Sequence, residues 1–239
     1  MTKEDFYAPI REKYHNLKDI LESRDLQHII ELTLEVHAMV HPRLASGLNE
    51  KTISDYVLDY MIQNNNKEML VPRMNCEISL DWAGTDMVPI CWQIWHTYRI
   101  EDLVSNFLIA NKNQIFNKEW QKRIHSPITD TGNALESTEA IAFGKALNVK
   151  ALYEYTVEVS RNTREIITNL TIEQLQQKPL KEQLDSIMNV GGLTSDKRSV
   201  WLLNYWGELT VSGMILTPLT DHHMMHLPPC LDYIPILEK

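Results

Sequence analysis

The sequence predicts an all-α protein, a four-helix bundle with an N-terminal helical extension. Three observations carry this reading. Glycine is scarce, at 8 of 239 residues, and strand-like alternation is hard to find. Apolar residues instead recur at helical spacing in several long segments, separated by breaks rich in proline, glycine and asparagine. A hydrophobic fraction of 44% beside 23% charged residues is ordinary for a soluble globular chain and permits a sizeable core.

Residues 1–24 read as an appended helix. Leu26, Ile29, Ile30, Leu34, Val36 and Val40 then form an apolar stripe that ends before Pro42, because a residue preceding proline is biased away from helix. Asn49 to Thr52 lead into a shorter stretch, Ile53 to Met61, and Asn64 to Asp81 reads as a long polar connection. A second strong helix is expected to begin near Thr85 or Asp86, either of which can cap it, with Pro89 in the first turn where its missing donor costs little. Trp92, Trp95, Ile100, Leu103, Val104, Phe107 and Leu108 carry it to about Phe116. Residues 117–134 read as loop, punctuated by Pro127 and Gly132. A third helix is expected from about Thr138 to Leu170. Thr171-Ile172-Glu173-Gln174 resembles a capping box opening a further short turn, and Asn189 to Gly192 is a loop. A fourth helix runs from Asp196 to His226 with a kink at Pro218, and stops before Pro228-Pro229. The expected organisation is one domain over 1–239: extension 1–24, bundle 25–227 and C-terminal tail 228–239.

Net charge is −9, which argues against a nucleic-acid-binding surface. No apolar run approaches the roughly 18 residues needed to span a bilayer. Met1 to Asp5 is polar with no apolar signal core behind it, so a cytoplasmic chain without a membrane partner is expected. Cys76, Cys91 and Cys230 form an odd, scattered set without a CxxC, which reads as buried free thiols. Cys230 follows His226 by four residues and is placed to lie near a metal there.

Three of the nine histidines fall within Asp221-His222-His223-Met224-Met225-His226. His222 and His226 are spaced i, i+4, which on a helix puts both imidazoles on one face, one turn apart. So placed they can share one transition-metal ion; the plainer alternative is a histidine-rich helix end that favours the helix dipole. His96 is the natural third ligand. It lies mid-helix among tryptophans, and a buried ring there needs a partner, either a neighbouring side chain or water, or a metal shared with the fourth helix. His37 and His41 form a second i, i+4 pair, but His41 precedes Pro42, and this pair reads as structural or surface. His15, His28 and His125 read as surface residues. Zinc suits three protein ligands plus water, whereas nickel or ferrous iron accepts three imidazoles with more open positions, so the divalent ion stays open among the three.

The segment Trp92-Gln93-Ile94-Trp95-His96-Thr97-Tyr98-Arg99-Ile100-Glu101-Asp102 resembles the second-helix signature of the DinB/YfiT-like superfamily. That signature is tryptophan, two residues, tryptophan-histidine, two residues, arginine, one residue, glutamate-aspartate. Trp201 to Gly207 and Leu216 to His222 resemble the fourth helix of a subgroup in which a proline precedes an HxxxH pair. The resemblance covers roughly residues 25–227. It implies a four-helix bundle of DinB/YfiT-like type holding a divalent transition metal through His96, His222 and His226, with His223 a bystander. It also implies a homodimer formed through bundle faces. The chain departs from the family in Pro228-Pro229, which interrupt the fourth helix at once. In thiol-oxidising relatives the position of Pro228 carries glutamate.

Relatives transfer low-molecular-weight thiols to electrophiles or isomerise thiol-linked acids. The resemblance therefore implies a metal-dependent enzyme of the thiol-transferase or hydrolase kind, acting on a small thiol or electrophile. The alternative is a non-catalytic metal-binding or stress-associated dimeric bundle. A third alternative is that the histidines form a polar core without metal. Arg99, Glu101 and Asp102 share the helix of His96. They read either as a surface salt bridge and a solvated charge pair, or as residues that orient a histidine or meet substrate. Trp92, Trp95, Trp201 and Trp206 read as core anchors.

Overall fold

The computed structural model describes residues 3–23, 25–64, 69–73 and 87–234. The chain is predominantly helical. In order come α1 (Lys3–Ile20), α2 (Leu26–Val40), a single turn α3 (Arg43–Ser46) and α4 (Ile53–Asn64). Two short strands follow, β1 (Leu70–Pro72) and β2 (Met87–Pro89), then α5 (Ile90–Leu103), α6 (Lys118–Ile124), α7 (Ser137–Ala146) and α8 (Val149–Thr168). The C-terminal part holds α9 (Lys181–Asn189), α10 (Lys197–Glu208), α11 (Val211–Leu216) and α12 (His222–His226).

Several boundaries agree with the sequence reading. α2 ends one residue before His41, whose ψ of 164° is the extended conformation that Pro42 demands. Asp196 caps α10 by accepting from the Arg198 amide. Thr171 and Gln174 exchange side-chain and backbone hydrogen bonds in the expected box.

Other boundaries differ, each for a local reason. Pro89 is not in the first turn of α5 but is its N-cap, because Met87–Pro89 pairs antiparallel with Leu70–Pro72. The expected caps Thr85 and Asp86 lie outside the described residues, as does Cys76. The 117–134 segment contains α6, capped by Asn117, whose side chain accepts from the amides of Glu119 and Trp120. The expected helix 138–170 is two helices, because Leu147 is extended and Asn148 caps α8 through the Ala151 amide. The expected helix 196–226 is three, broken where Thr210 caps α11 and again at a π-turn over Thr217–Asp221. Pro218 cannot donate to the helical ladder, and Thr220 Oγ1 donates instead to the carbonyls of Ile215 and Leu216. That π-turn directly precedes α12.

α5 is the centre of the molecule. Every residue from Ile90 to Leu103 is buried, and the helix packs against α7, α8 and α12. Its N-terminal half, with Trp92, Trp95 and Tyr98, belongs to one apolar cluster that includes α4, α7, Leu227, Cys230, Leu231 and Ile234. Its C-terminal half joins a second cluster with α1, α2 and α9 to α11. Leu227, Cys230, Leu231 and Ile234 thus join the first of these clusters, while Asp232 and Tyr233 are exposed. Met224 of α12 packs against both clusters, so the histidines of α12 sit where they meet. Trp92, Trp95 and Trp206 are core as expected, while Trp201 is only partly buried. Among the described residues no helix is long and apolar enough to cross a membrane.

Candidate metal centre

α5 and α12 bring His96, His222 and His226 together. Their ligand atoms lie within 4.8 Å of one another, and the rings are 3%, 5% and 1% exposed. Ring centres are 4.5 Å apart for His222 and His226, 4.9 Å for His96 and His226, and 5.0 Å for His96 and His222. The ring planes cross at 56–63°. With metal–nitrogen bonds of about 2.0–2.1 Å, ring centres lie about 3.2 Å from an ion; centres about 4.5 Å apart then match right-angle ligands and about 5.2 Å tetrahedral ones. The observed spacings fall within that interval.

Proton positions can be read from the outer nitrogens. His96 Nδ1 lies 3.0 Å from the Thr131 carbonyl. A carbonyl only accepts, so Nδ1 carries the proton and Nε2 presents a lone pair. His226 Nδ1 lies 2.5 Å from Gln93 Oε1. The amide of Gln93 is itself oriented, because its Nε2 donates to the Pro72 carbonyl at 3.0 Å, so His226 also has its proton on Nδ1. His222 Nδ1 is buried without a hydrogen-bond partner, an orphan that a metal ligand bond satisfies. Burial holds His96 down to about 4. Burial and then the neighbouring imidazoles hold His222 and His226 well below their ordinary value. All three rings are therefore neutral at physiological pH, the state that binds metal.

The loop expected over 117–134 positions these groups. Four consecutive carbonyls lie along α5 and accept from it: Thr129 from Arg99, Asp130 from Trp95, Thr131 from His96 and Gly132 from Trp92. The loop is tied in turn to Gly191 and Gly192 through Thr129 and Thr131. Gly132 has φ +76°, and a Cβ there would stand 2.8 Å from Trp92 Nε1. Trp92 stacks on His96 at 4.7 Å and 6° and carries the Arg73 guanidinium at 4.6 Å. Sequence reasoning missed Gln93, Thr131 and Arg73 as supports of the site. Gln93 lay inside the quoted motif; a backbone carbonyl has no sequence signal.

Arg99, Glu101 and Asp102 are fully buried, against the expectation of a solvated pair and a surface salt bridge. Arg99 donates to Asp102, Tyr155, Gln114 and Thr129. Asp102 accepts from Tyr155 and from the amides of Ile115 and Phe116. This pair therefore fastens the 114–129 segment to α5. Burial raises Asp102, opposed by Arg99.

Glu101 faces the other way, toward His37 of α2, His41 just beyond its end and His223 of α12. Burial alone would raise its carboxyl, but His41 and the surrounding imidazoles hold it well below the usual range. His37 and His41 are not surface residues. Their rings stack at 3.5 Å, because His41 Nδ1 donates back to the His37 carbonyl even though its backbone leaves the helix. His223 stands outside the three-histidine set, with its Nε2 3.0 Å from Glu101 Oε2. His15, His28 and His125 are exposed as expected. The Cys230 thiol donates to the His226 carbonyl rather than joining the three imidazoles, and burial pushes it up to about 12.

No family model matches the chain, and no curated protein matches it. The site therefore rests on its own geometry.

Proposed function

We propose that this chain is a divalent-metal-dependent enzyme of the thiol-transferase or hydrolase kind, a bundle of DinB/YfiT-like type working from His96, His222 and His226. The observation that carries the reading is the proton arrangement: Thr131 and Gln93 occupy the outer nitrogens of His96 and His226, leaving inward lone pairs on rings spaced for one ion. Zinc, nickel or ferrous iron held there supplies Lewis acidity, which lowers the pKa of a water or thiol.

The protein's own groups set the conditions for that chemistry. Gln93 and Thr131 hold two imidazoles in one tautomer. Arg73 places a positive charge near His96 and His226, where it adds to the larger effect of burial in holding both imidazoles down, and it favours an anionic partner such as a thiolate or carboxylate. Trp92 and the surrounding apolar cluster keep the dielectric low, so these interactions are stronger than in water.

A second reading, a non-catalytic metal-binding dimeric bundle, draws on the near-complete burial of all three rings. The test separates them. The chain, purified without a polyhistidine tag and loaded in turn with zinc, nickel or ferrous iron, is screened with low-molecular-weight thiols plus electrophiles and with activated esters. Metal-dependent turnover that His222→Ala abolishes supports the enzyme. Tight stoichiometric metal without turnover supports the second reading, and a dimer by light scattering is expected under both.

A further inference from the structure

The neighbouring Glu101 cluster has a proton count that does not close. His41 Nδ1 is 2.8 Å from the His37 carbonyl, and His41 Nε2 is 2.9 Å from Glu101 Oε2. The carbonyl and an ionised carboxylate only accept, and a neutral imidazole has a single N–H. The cluster therefore holds either one further proton, on His41 or on Glu101 Oε2, or a metal ion between Nε2 and the carboxylate.

His223 distinguishes the two. Its Nε2 lies 3.0 Å from the same Oε2, yet neither ring nitrogen makes a hydrogen bond of good geometry. The ring is fully buried. A further proton on His41 or Glu101 leaves this imidazole orphaned beside a carboxyl group; a metal ion satisfies both rings and the carboxylate together.

The spacing fits such an ion. Adjacent ligands at right angles with bonds of about 2.1 Å stand about 3.0 Å apart, close to the 2.9 and 3.0 Å from Glu101 Oε2 to the two imidazoles. The His41 and His223 ring centres are 4.2 Å apart at 49°, near the right-angle spacing of the first centre. The ligand atoms of His37, His41 and Glu101 also lie within 4.8 Å of one another, but His37 is not oriented to share the ion. Its ring is parallel to His41 within 4° at 3.5 Å, so an ion in the plane of one ring lies far outside the plane of the other. It serves instead as a donor to Glu101 Oε1 at 3.2 Å.

We propose a second divalent-metal site formed by His41, Glu101 and His223. It adjoins the first because His222 and His223 are successive residues whose rings diverge, with centres 6.3 Å apart at 86°. Two imidazoles and one carboxylate suit zinc, ferrous iron or manganese. The site stands whether or not the three-histidine centre is catalytic.

The test uses the full chain without a polyhistidine tag, stripped with chelator, dialysed against zinc and measured for zinc per chain. Two equivalents are expected for wild type, and one each for Glu101→Gln, His223→Ala and His96→Ala. Cobalt(II) absorption should lose different components in Glu101→Gln and His96→Ala. Full zinc retention in both Glu101→Gln and His223→Ala overturns the second site, and leaves the first intact if His96→Ala still loses metal. Loss in those two variants with His96→Ala unchanged keeps the second site and removes the first. If the substituted chains lack helical circular dichroism, the wild-type count decides: fewer than two equivalents overturns the proposal.

Discussion

Gln93→Leu isolates the part played by an outer hydrogen bond. Leucine is close to glutamine in size but removes the acceptor 2.5 Å from His226 Nδ1. In the metal-free chain His226 can respond by moving its proton to Nε2. In the metal-bound chain it cannot, because Nε2 must remain a lone pair; Nδ1–H is then buried without a partner, which costs about 1–3 kcal/mol. That cost falls on the bound state alone and so appears as weaker binding, by about 5- to 150-fold at 1.4 kcal/mol per decade. The range spans the 10- to 100-fold typical of outer-shell substitutions. The assay is zinc competition against a chromophoric chelator, with urea unfolding of the metal-free chain as control. Affinity within about twofold of wild type, in a normally folded variant, would refute the tautomer argument.

Four further outcomes follow from the same contacts. Asp102→Ala leaves Arg99 unpaired in the core and strips acceptors from Tyr155 and two amides; urea unfolding should show a loss of about 3–5 kcal/mol, and a loss under 1 would contradict the buried pair. Gly132→Ala puts a side chain at φ +76° against Trp92, so it should cost at least about 1–2 kcal/mol and weaken zinc binding through Thr131; an unchanged urea midpoint would contradict this. His37, His96 and His223 are held down to about 3, 4 and 4, while unfolded histidine titrates near 6.5. Their stabilising share is thus full above about pH 6.5 and lost as pH falls toward 4, at about 1.4 kcal/mol each by pH 5.5; a metal-free urea midpoint that does not fall between pH 7.5 and 5.5 would count against it. Cys230, pushed up to about 12 and buried, should resist iodoacetamide in the native chain at pH 8 and react in urea; rapid native labelling mapped to it would place the thiol elsewhere.

The helical class, the end of α2 and the His222/His226 pair were legible because each leaves a local mark: a period, a proline, an i, i+4 pair; His96 carries no such mark and was joined to the pair chiefly through the family resemblance. Helix breaks were less so. Asn117, Asn148 and Thr210 are good capping residues, but capping residues also occur where no helix starts, and the apolar rhythm runs across the last two. Glu101 and Asp102 were misplaced because charged residues are seldom buried unless paired; Arg99 is only three residues from Asp102, but the other partners lie far off in sequence, on α2 and at its C-cap, on α12, and at residues 115–116 and 155. His41 shows a correct local rule with a wrong consequence. Its backbone leaves the helix before Pro42, yet one side-chain hydrogen bond to the His37 carbonyl returns the ring to the stack. Gln93 and Thr131 became visible only when the fold set them against the outer imidazole nitrogens.

The central claim is that His96, His222 and His226 share one ion. Anomalous diffraction at the zinc edge, from crystals of the zinc-loaded chain, tests it directly. The account predicts a peak about 2.0–2.1 Å from one nitrogen of each of these three rings, with Thr131 and Gln93 still on the outer nitrogens of His96 and His226. Zinc density elsewhere in the molecule, with no peak among these three rings, would contradict it.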